Sequence, residues 1–542
     1  MTDSVPPPGL SPEIPDFSPQ GNATALKRQS AVGAAVTMGS QGTKFVLQFG
    51  SQVVLARLLL PTDFGLLAMV GPLVAAALLL TDLGLSAATV QRPTINQVEL
   101  SSLFWLNVLI GCGLAGVAVA AAPLAAIFYA TPAVTPVMMT MAAALLLSSL
   151  SAQHIALLNR RMRFGAIAMI EVGALIAGVI VGVGGALWGL GYWSLVAMQV
   201  TNGAATLILA CVFSRWRPSR PGISRDALHL LRFGGTVTGY NLLGYLITNL
   251  DNILIGARFG AGPLGIYDRA YKLMFQPLWQ MTAPAARVAV PLLSRLSADP
   301  AEYRGAYLAM LGGVLTLTTP GILCAIVFAK PVILVLLGER WIASAPTFAW
   351  LGVAALSLQL RQAASWLFVS QGRAQEQLKW GGLGSAAVIA GYLIGIFWGP
   401  KGVAMSAAIS SAAVQIPMMW WAVTRSGPVT RSDAIRLMVP IAAAAAIAGG
   451  LLALAAYAFV WASLPMLALA GLLAYALFIG ALALFPDGRI QLAKAGGSSA
   501  GWPNASPRGR RRSAPRRRGR GGRGDRRRCR RRSDSFGPPP PP

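Results

Sequence analysis

Runs of twenty or more mostly apolar residues recur from about residue 31 to about residue 485, separated by short polar joints. A helix needs about 20 such residues to cross the hydrocarbon core, where lipid offers the backbone no hydrogen-bond partner. The runs fall at about 31–58, 64–90, 102–128, 133–158, 165–187 and 189–213, then at 234–258, 267–293, 305–329, 345–369, 379–398 and 401–423, and finally at 435–459 and 461–485. The expected fold is an all-α polytopic membrane protein of about fourteen transmembrane helices. Composition leaves little room for anything else: with 55% hydrophobic and 12% charged residues, several soluble domains could not be wetted. The first and eighth spans are the most polar of the set.

Positive charge orients such a chain, because short cytoplasmic joints retain Lys and Arg. Seven basic residues fall in joints on one side, Arg57, Arg258, Arg269, Lys272, Lys330, Arg340 and Lys401, against eighteen on the amino-terminal side. Both termini are therefore expected in the cytoplasm. The two series of six spans also echo one another. Ala56-Arg57 leads to Pro61 and Gly65, as Ala257-Arg258 leads to Pro263 and Gly265; Phe128-Tyr129-Ala130-Thr131-Pro132 is answered by Leu337-Gly338-Glu339-Arg340-Trp341, and Trp188-Gly189-Leu190-Gly191 by Trp398-Gly399-Pro400-Lys401. An even number of spans per half makes this a parallel repeat about an axis along the membrane normal. The expected organisation is a disordered cytoplasmic arm (1–25), an N-terminal six-helix bundle (26–214), a basic linker (215–232), a C-terminal six-helix bundle (233–425), an additional helix pair (434–486) and a disordered Arg/Pro-rich tail (495–542).

The net charge of +27 is unevenly placed. Between Arg508 and Arg532 fifteen arginines stand against one aspartate, so about half of the excess is a property of the tail. Clustered arginine can contact nucleic acid or anionic lipid phosphate. The abrupt change of composition after Lys494 equally fits an out-of-frame reading of a GC-rich gene, and no specific nucleic acid partner is expected. The proline-rich start has no positive region followed by an apolar core, so it does not read as a cleavable signal. Cys112, Cys211, Cys324 and Cys529, with His154 and His229, have no metal-ligand spacing. No phosphate-binding glycine loop or nucleophilic triad pattern is present, so neither catalysis nor a cofactor is expected.

Charges inside spans are costly, about 3 kcal/mol or more at mid-membrane, and mark a cavity by default. Lys44 lies in the middle of the first span on a polar stripe of Gln41, Lys44, Gln48, Ser51 and Gln52 at helical spacing. Helix–helix hydrogen bonding is the alternative reading of that stripe. Asp82, Glu171, Asp251, Arg287 and Arg361 are further lining candidates, while Arg57, Arg258, Arg269 and Lys272 are placed to attract phosphate at an outer mouth or to anchor helix ends.

Through Leu55-Ala56-Arg57-Leu58-Leu59-Leu60-Pro61-Thr62-Asp63-Phe64-Gly65, then Asp82-Leu83-Gly84-Leu85, Asn249-Leu250-Asp251-Asn252, Gly265-Ile266-Tyr267 and Leu337 to Trp341, the sequence resembles the Wzx-type polysaccharide-export flippases. These belong to the multidrug/oligosaccharidyl-lipid/polysaccharide superfamily, and the exopolysaccharide or colanic-acid branch is the nearest in flavour. The resemblance covers about residues 26–425. It implies two six-helix bundles around a central cavity and alternating access. It also implies a polyprenyl-pyrophosphate-linked oligosaccharide as partner in the membrane lipids, handed to a polysaccharide polymerase and co-polymerase. A cation-coupled exporter of small molecules from the same superfamily and a membrane glycan polymerase or ligase are the competing readings; short outer joints argue against the second.

Alternation of the joints gives a direct test. Reporters fused near Arg220 should report the cytoplasm, and those near Lys330 the outside. Alkaline phosphatase and fluorescent-protein fusions check this, and the same sidedness at both positions would break the span count between them.

Overall fold

The structure, a computed structural model, describes residues 23–92, 95–220, 242, 244–459, 461 and 463–495. Nearly all of the expected arm, the linker beyond residue 220 and the tail from residue 496 lie outside the described residues. The first half comprises α1 (Ala23–Leu58), α2 (Pro61–Asp82), the short α3 (Leu85–Gln91), α4 (Gln97–Phe128), α5 (Val134–Arg160), α6 (Phe164–Leu187) and α7 (Tyr192–Ser214). The second comprises α8 (Leu250–Phe259), α9 (Ala261–Arg295), α10 (Pro300–Val327), α11 (Ala329–Leu336), α12 (Ala345–Ser370), α13 (Ala374–Gly395), α14 (Gly399–Ser410) and α15 (Ile416–Thr424). Then come α16 (Arg431–Ala458), α17 (Leu464–Ala483) and α18 (Pro486–Ala495). No strand occurs among the described residues, and the chain is a polytopic all-α membrane protein.

Local chemistry sets the helix ends. Asn96 accepts from the Glu99 backbone N–H at 2.7 Å while Glu99 reaches back to Asn96, and Thr430 and Asp433 form the same reciprocal cap. The break between α2 and α3 falls at Leu83 and Gly84, both left-handed (φ 43° and 78°). Asp82 seals it by accepting from the Ser86 N–H at 3.0 Å and its hydroxyl at 2.6 Å. Gly189 and Gly399, matched by the repeat in sequence, both turn the chain at positive φ (79° and 74°).

Ten stretches among the described residues are long and apolar enough to cross a membrane. One of them, Ala374–Thr424, runs to 51 residues and doubles back at Gly399, so it contains the expected spans at 379–398 and 401–423. The expected spans at 31–58, 234–258 and 267–293 are not among the ten, so the count of fourteen is not confirmed. Polarity is the reason: α1 carries the stripe around Lys44, and α9 carries Asp268, Arg269, Lys272 and Arg287 together with three interior prolines. Both are helical nonetheless, whereas 234–258 is only partly described.

The two halves join through α2 and α9, which pack along each other. A Cβ on Gly65 would overlap the carbonyl of Ala261, and one on Gly265 would overlap the carbonyl of Pro61. The contact is reciprocal, with the same 200 residues separating 61 from 261 and 65 from 265. The repeated aromatic segments cross over in the same way. Trp341 of the second half donates its indole N–H to the carbonyl of Ala56 at 2.8 Å and meets Phe64 edge-on at 5.4 Å. Tyr129 of the first half lies against Gly256, where an added Cβ would come within 2.9 Å of its ring.

One apolar core spans this seam, from Leu55, Phe64 and Met69 to Ile255, Leu264 and Trp341. Away from it the halves have separate cores. Leu100, Leu103, Phe104 and Trp216 cluster in the first, while Leu293, Tyr303, Tyr307, Leu367 and Trp420 cluster in the second with Leu437 of α16 and Phe478 of α17. The final pair rests on α10, where Tyr475 donates to the carbonyl of Leu317 at 2.6 Å and Asp433 pairs with Arg304 at 3.3 Å. Two lobes fastened at one end leave a cleft between them at the other.

Gly65→Leu should loosen this seam, since overpacking costs about 1–3 kcal/mol. Cysteines at Thr62 and Gly262, where an added Cβ lies 3.6 Å from the Thr62 methyl, should cross-link readily on oxidation. The yield should fall several-fold when Gly65→Leu is added, and an unchanged yield would mean the seam is not set by glycine.

Candidate functional site

Immediately beyond the seam, Gln52 of α1 donates its Nε2 proton to Oε1 of Gln276 on α9 at 2.9 Å. Farther from the seam, Gln48 and Lys44 follow on the face of α1 that carries Gln52, one and two steps of four away. On α9, Gln280 and Arg287 continue the face of Gln276, and Gln48, Gln280 and Arg287 are exposed. The two polar faces meet at Gln52 and Gln276.

Lys44 does not stand alone in it. Its Nζ is 2.9 Å from Oε2 of Glu171 on α6, with side chains 26% and 38% exposed. The partner comes from packing: α6 lies along α1, and its single carboxylate faces Lys44. Both side chains of the pair stay partly exposed.

The remaining candidates separate by partner. Arg57 donates to the carbonyls of Val335 and Leu336, the latter at 3.2 Å, and so anchors the last turn of α11 across the seam. Asp268 binds both Arg269 at 2.8 Å and Lys272 at 2.9 Å, and the Arg269 guanidinium lies 4.4 Å from the centroid of the Phe64 ring. Of the four expected outer-mouth cations, Arg57 and Arg258 are exposed, the latter near the end of α8. Asp82 serves the α3 turn described above. Asp251 is buried, accepting from the Tyr267 hydroxyl at 2.7 Å, and shares a cavity with Arg361 inside the second lobe. Lys44 and Glu171 are thus paired in the first lobe, Gln48 and Arg287 are exposed, and Asp251 and Arg361 line a cavity of the second lobe.

Two residues of the site were not singled out in sequence as a pair. Gln276 is an uncharged residue in a span, and its facing of Gln52 depends on how α1 and α9 cross. The indole of Trp341 is similarly unremarkable until the second lobe folds over Ala56.

The "polysaccharide biosynthesis protein" family model matches residues 54–346, more than half of the chain. The chain belongs to this family. Its members here include the lipopolysaccharide biosynthesis protein WzxC of Escherichia coli, 28% identical over 307 residues, which make up 56% of this chain and 62% of WzxC. The succinoglycan biosynthesis transport protein ExoT of Rhizobium meliloti is 26% identical over 344 residues, 63% of this chain and 68% of ExoT. The match to WzxC thus spans about three fifths of that relative's length. In fold, the family member described here is similar to the lipid II flippase MurJ in its inward closed conformation, with TM-score 0.64, 14% identity, and 83% and 98% of the two chains covered. The resemblance to Wzx-type proteins holds in sequence, and the fold is similar to that of MurJ.

The pairing at Lys44 separates a structural from a ligand-binding role. Glu171→Gln should leave Lys44 the cleft's uncompensated cation and preserve folding, because a half-exposed pair contributes only about 0–1 kcal/mol. The reversed pair Lys44→Glu with Glu171→Lys should restore membrane abundance but not polysaccharide export, if the ammonium must sit on α1. Export per folded protein, with abundance from fluorescence size-exclusion, checks this; normal export in the reversed pair would make the contact purely structural.

Proposed function

We propose that this protein is a flippase that moves a polyprenyl-pyrophosphate-linked oligosaccharide from the cytoplasmic to the outer leaflet of a bacterial inner membrane, for exopolysaccharide or lipopolysaccharide assembly. The observation that carries the reading is the cleft. Two lobes of a polysaccharide biosynthesis family member are fastened at one end, and polar stripes bearing Lys44, Gln48 and Arg287 face each other beyond it. An anionic head group needs cations and hydrogen-bond donors there, while its prenyl chain needs lipid beside it. A cleft between two bundles within the bilayer supplies both.

Lys44 and Arg287 serve as the first partners of the pyrophosphate, the guanidinium binding oxygens bidentately and the ammonium as a point charge. With both termini cytoplasmic, the seam lies at the outer end and the cleft opens to the cytoplasm, the side on which the substrate is made. Parting of the seam, with closure of the far ends, delivers the head group outward. The chain performs no chemistry on the substrate. Its energy comes from a gradient or from consumption of the product by a polymerase and co-polymerase. The bundles at 26–214 and 233–425 act as the two moving bodies, and the pair at 434–486 rides on the second.

Deletion of the gene should abolish surface polysaccharide and leave lipid-linked oligosaccharide protected in the cytoplasmic leaflet, measured by access of an external glycosidase to radiolabelled lipid-linked sugar in spheroplasts. A small-molecule exporter predicts the opposite pattern: unaltered polysaccharide and heightened sensitivity to toxic cations. That pattern would overturn the flippase reading.

A further inference from the structure

Tyr267, Tyr271, Phe275 and Trp279 occupy successive fourth positions of α9 and therefore one face of it. Their rings follow one another with centroids 6.3, 4.5 and 6.1 Å apart. This ladder forms one wall of a cavity of about 350 Å³ within the second lobe, a volume suited to a small ligand. Asp251 lies at its buried end, held by the Tyr267 hydroxyl at 2.7 Å and the Asn252 N–H at 2.8 Å. At the rim Trp279 is 47% exposed. Trp279 precedes the exposed Gln280 and lies about one turn from Gln276.

The opposite wall is polar. α12 contributes Arg361, α13 contributes Tyr392, and the π-helical turn Ser411–Gln415 between α14 and α15 contributes Ser411 and Gln415, hydrogen-bonded to each other at 3.1 Å. Such turns are rare and occur mostly at functional sites. Arg361 has no salt bridge and no hydrogen bond among the described residues, and it shares the cavity with the phenols of Tyr271 and Tyr392 and with Asp251, whose carboxylate is engaged by Tyr267 and Asn252. A guanidinium held in the bilayer interior without a direct ion pair is expensive, and an anion of matching fork geometry relieves it. A bare phosphate would satisfy Arg361 yet make no use of four aromatic rings. A pyranose does use them, because its C–H face is apolar and flat while its hydroxyl edge seeks donors and acceptors such as Tyr392, Ser411 and Gln415.

We propose that this cavity binds a carboxylated pyranose, a uronic acid unit, with its carboxylate on Arg361 and its C–H face on the Tyr271–Phe275–Trp279 ladder. The inference rests on the flippase reading and deepens it, since it names a class of sugar carried by the translocated glycan and places it in a side pocket distinct from the Lys44 cleft.

The test uses the full-length protein in nanodiscs and isothermal calorimetry with methyl β-glucuronide, methyl β-glucoside, free glucuronic acid and inorganic phosphate as probes. Methyl glucuronide should bind at least about tenfold more tightly than methyl glucoside, the difference a charge-assisted hydrogen bond makes. Arg361→Gln should erase that preference, Arg361→Lys should keep part of it, and Tyr271→Leu should weaken both glycosides alike. Equal affinity for the two glycosides, or phosphate binding as tightly as the glucuronide, would overturn the proposal. Free glucuronic acid binding more tightly than its glycoside would overturn the glycan-linked source. Should Arg361→Gln fail to fold, Trp279→Leu decides, and unchanged glucuronide affinity in that variant refutes the ladder. Binding to the isolated protein and export by cells fail separately: glucuronide binding alongside normal polysaccharide export in the deletion strain would retain the cavity and reject the flippase.

Discussion

Everything else in this molecule depends on the close approach of α2 and α9, where Gly65 meets the carbonyl of Ala261 and Gly265 meets that of Pro61. Without a hydrophobic driving force between helices in lipid, association relies on packing, and small residues let backbones come together. Because the contact is reciprocal, each lobe supplies both a glycine and a carbonyl, and the pseudo-two-fold relation of the lobes is fixed there. The Trp341 and Tyr129 contacts then brace the same end from either side.

The seam is also built so that it can part. Among the described residues every salt bridge lies within a single lobe, including Lys44–Glu171 in the first and the Asp268 cluster in the second. What crosses between the lobes includes apolar packing, the neutral Gln52–Gln276 and Trp341–Ala56 hydrogen bonds, the hold of Arg57 on two carbonyls and the Arg269 guanidinium over the Phe64 ring. Separating neutral partners in a site that floods with water costs little, since water replaces each bond. Separating a desolvated ion pair would cost several kcal/mol. The ion pairs within each lobe would therefore stay compensated in the seam-parting motion proposed above.

The two lobes are alike in backbone but not in what they line. The first places Lys44, Gln48 and Glu171 toward the cleft, and the second encloses a cavity walled by the aromatic face of α9. The ladder is visible in sequence as aromatics four apart from Tyr267 to Trp279, but that spacing is also common on an ordinary core face. Its other wall comes from Arg361, Tyr392 and Ser411, up to about 140 residues along the chain, and no local pattern announces it.

The sequence by itself determined the solvent and the fold class, because runs of about 20 apolar residues have no stable alternative to membrane-spanning helices. It also displayed the repeat, in Pro61 and Gly65 and their later counterparts, although what requires Gly65 and Gly265 is the tertiary approach of α2 and α9. Lys44, Glu171, Asp251 and Arg361 were marked individually by the cost of charge in lipid. Tertiary structure alone decided their company. That Glu171 answers Lys44, that Asp268 absorbs Arg269 and Lys272, and that Arg361 shares a cavity with aromatic rings but has no direct ion pair follow from which helices pack side by side. Helical period fixes the face a residue occupies, but the neighbour opposite that face is set by crossing angles and shared cores that no single segment encodes.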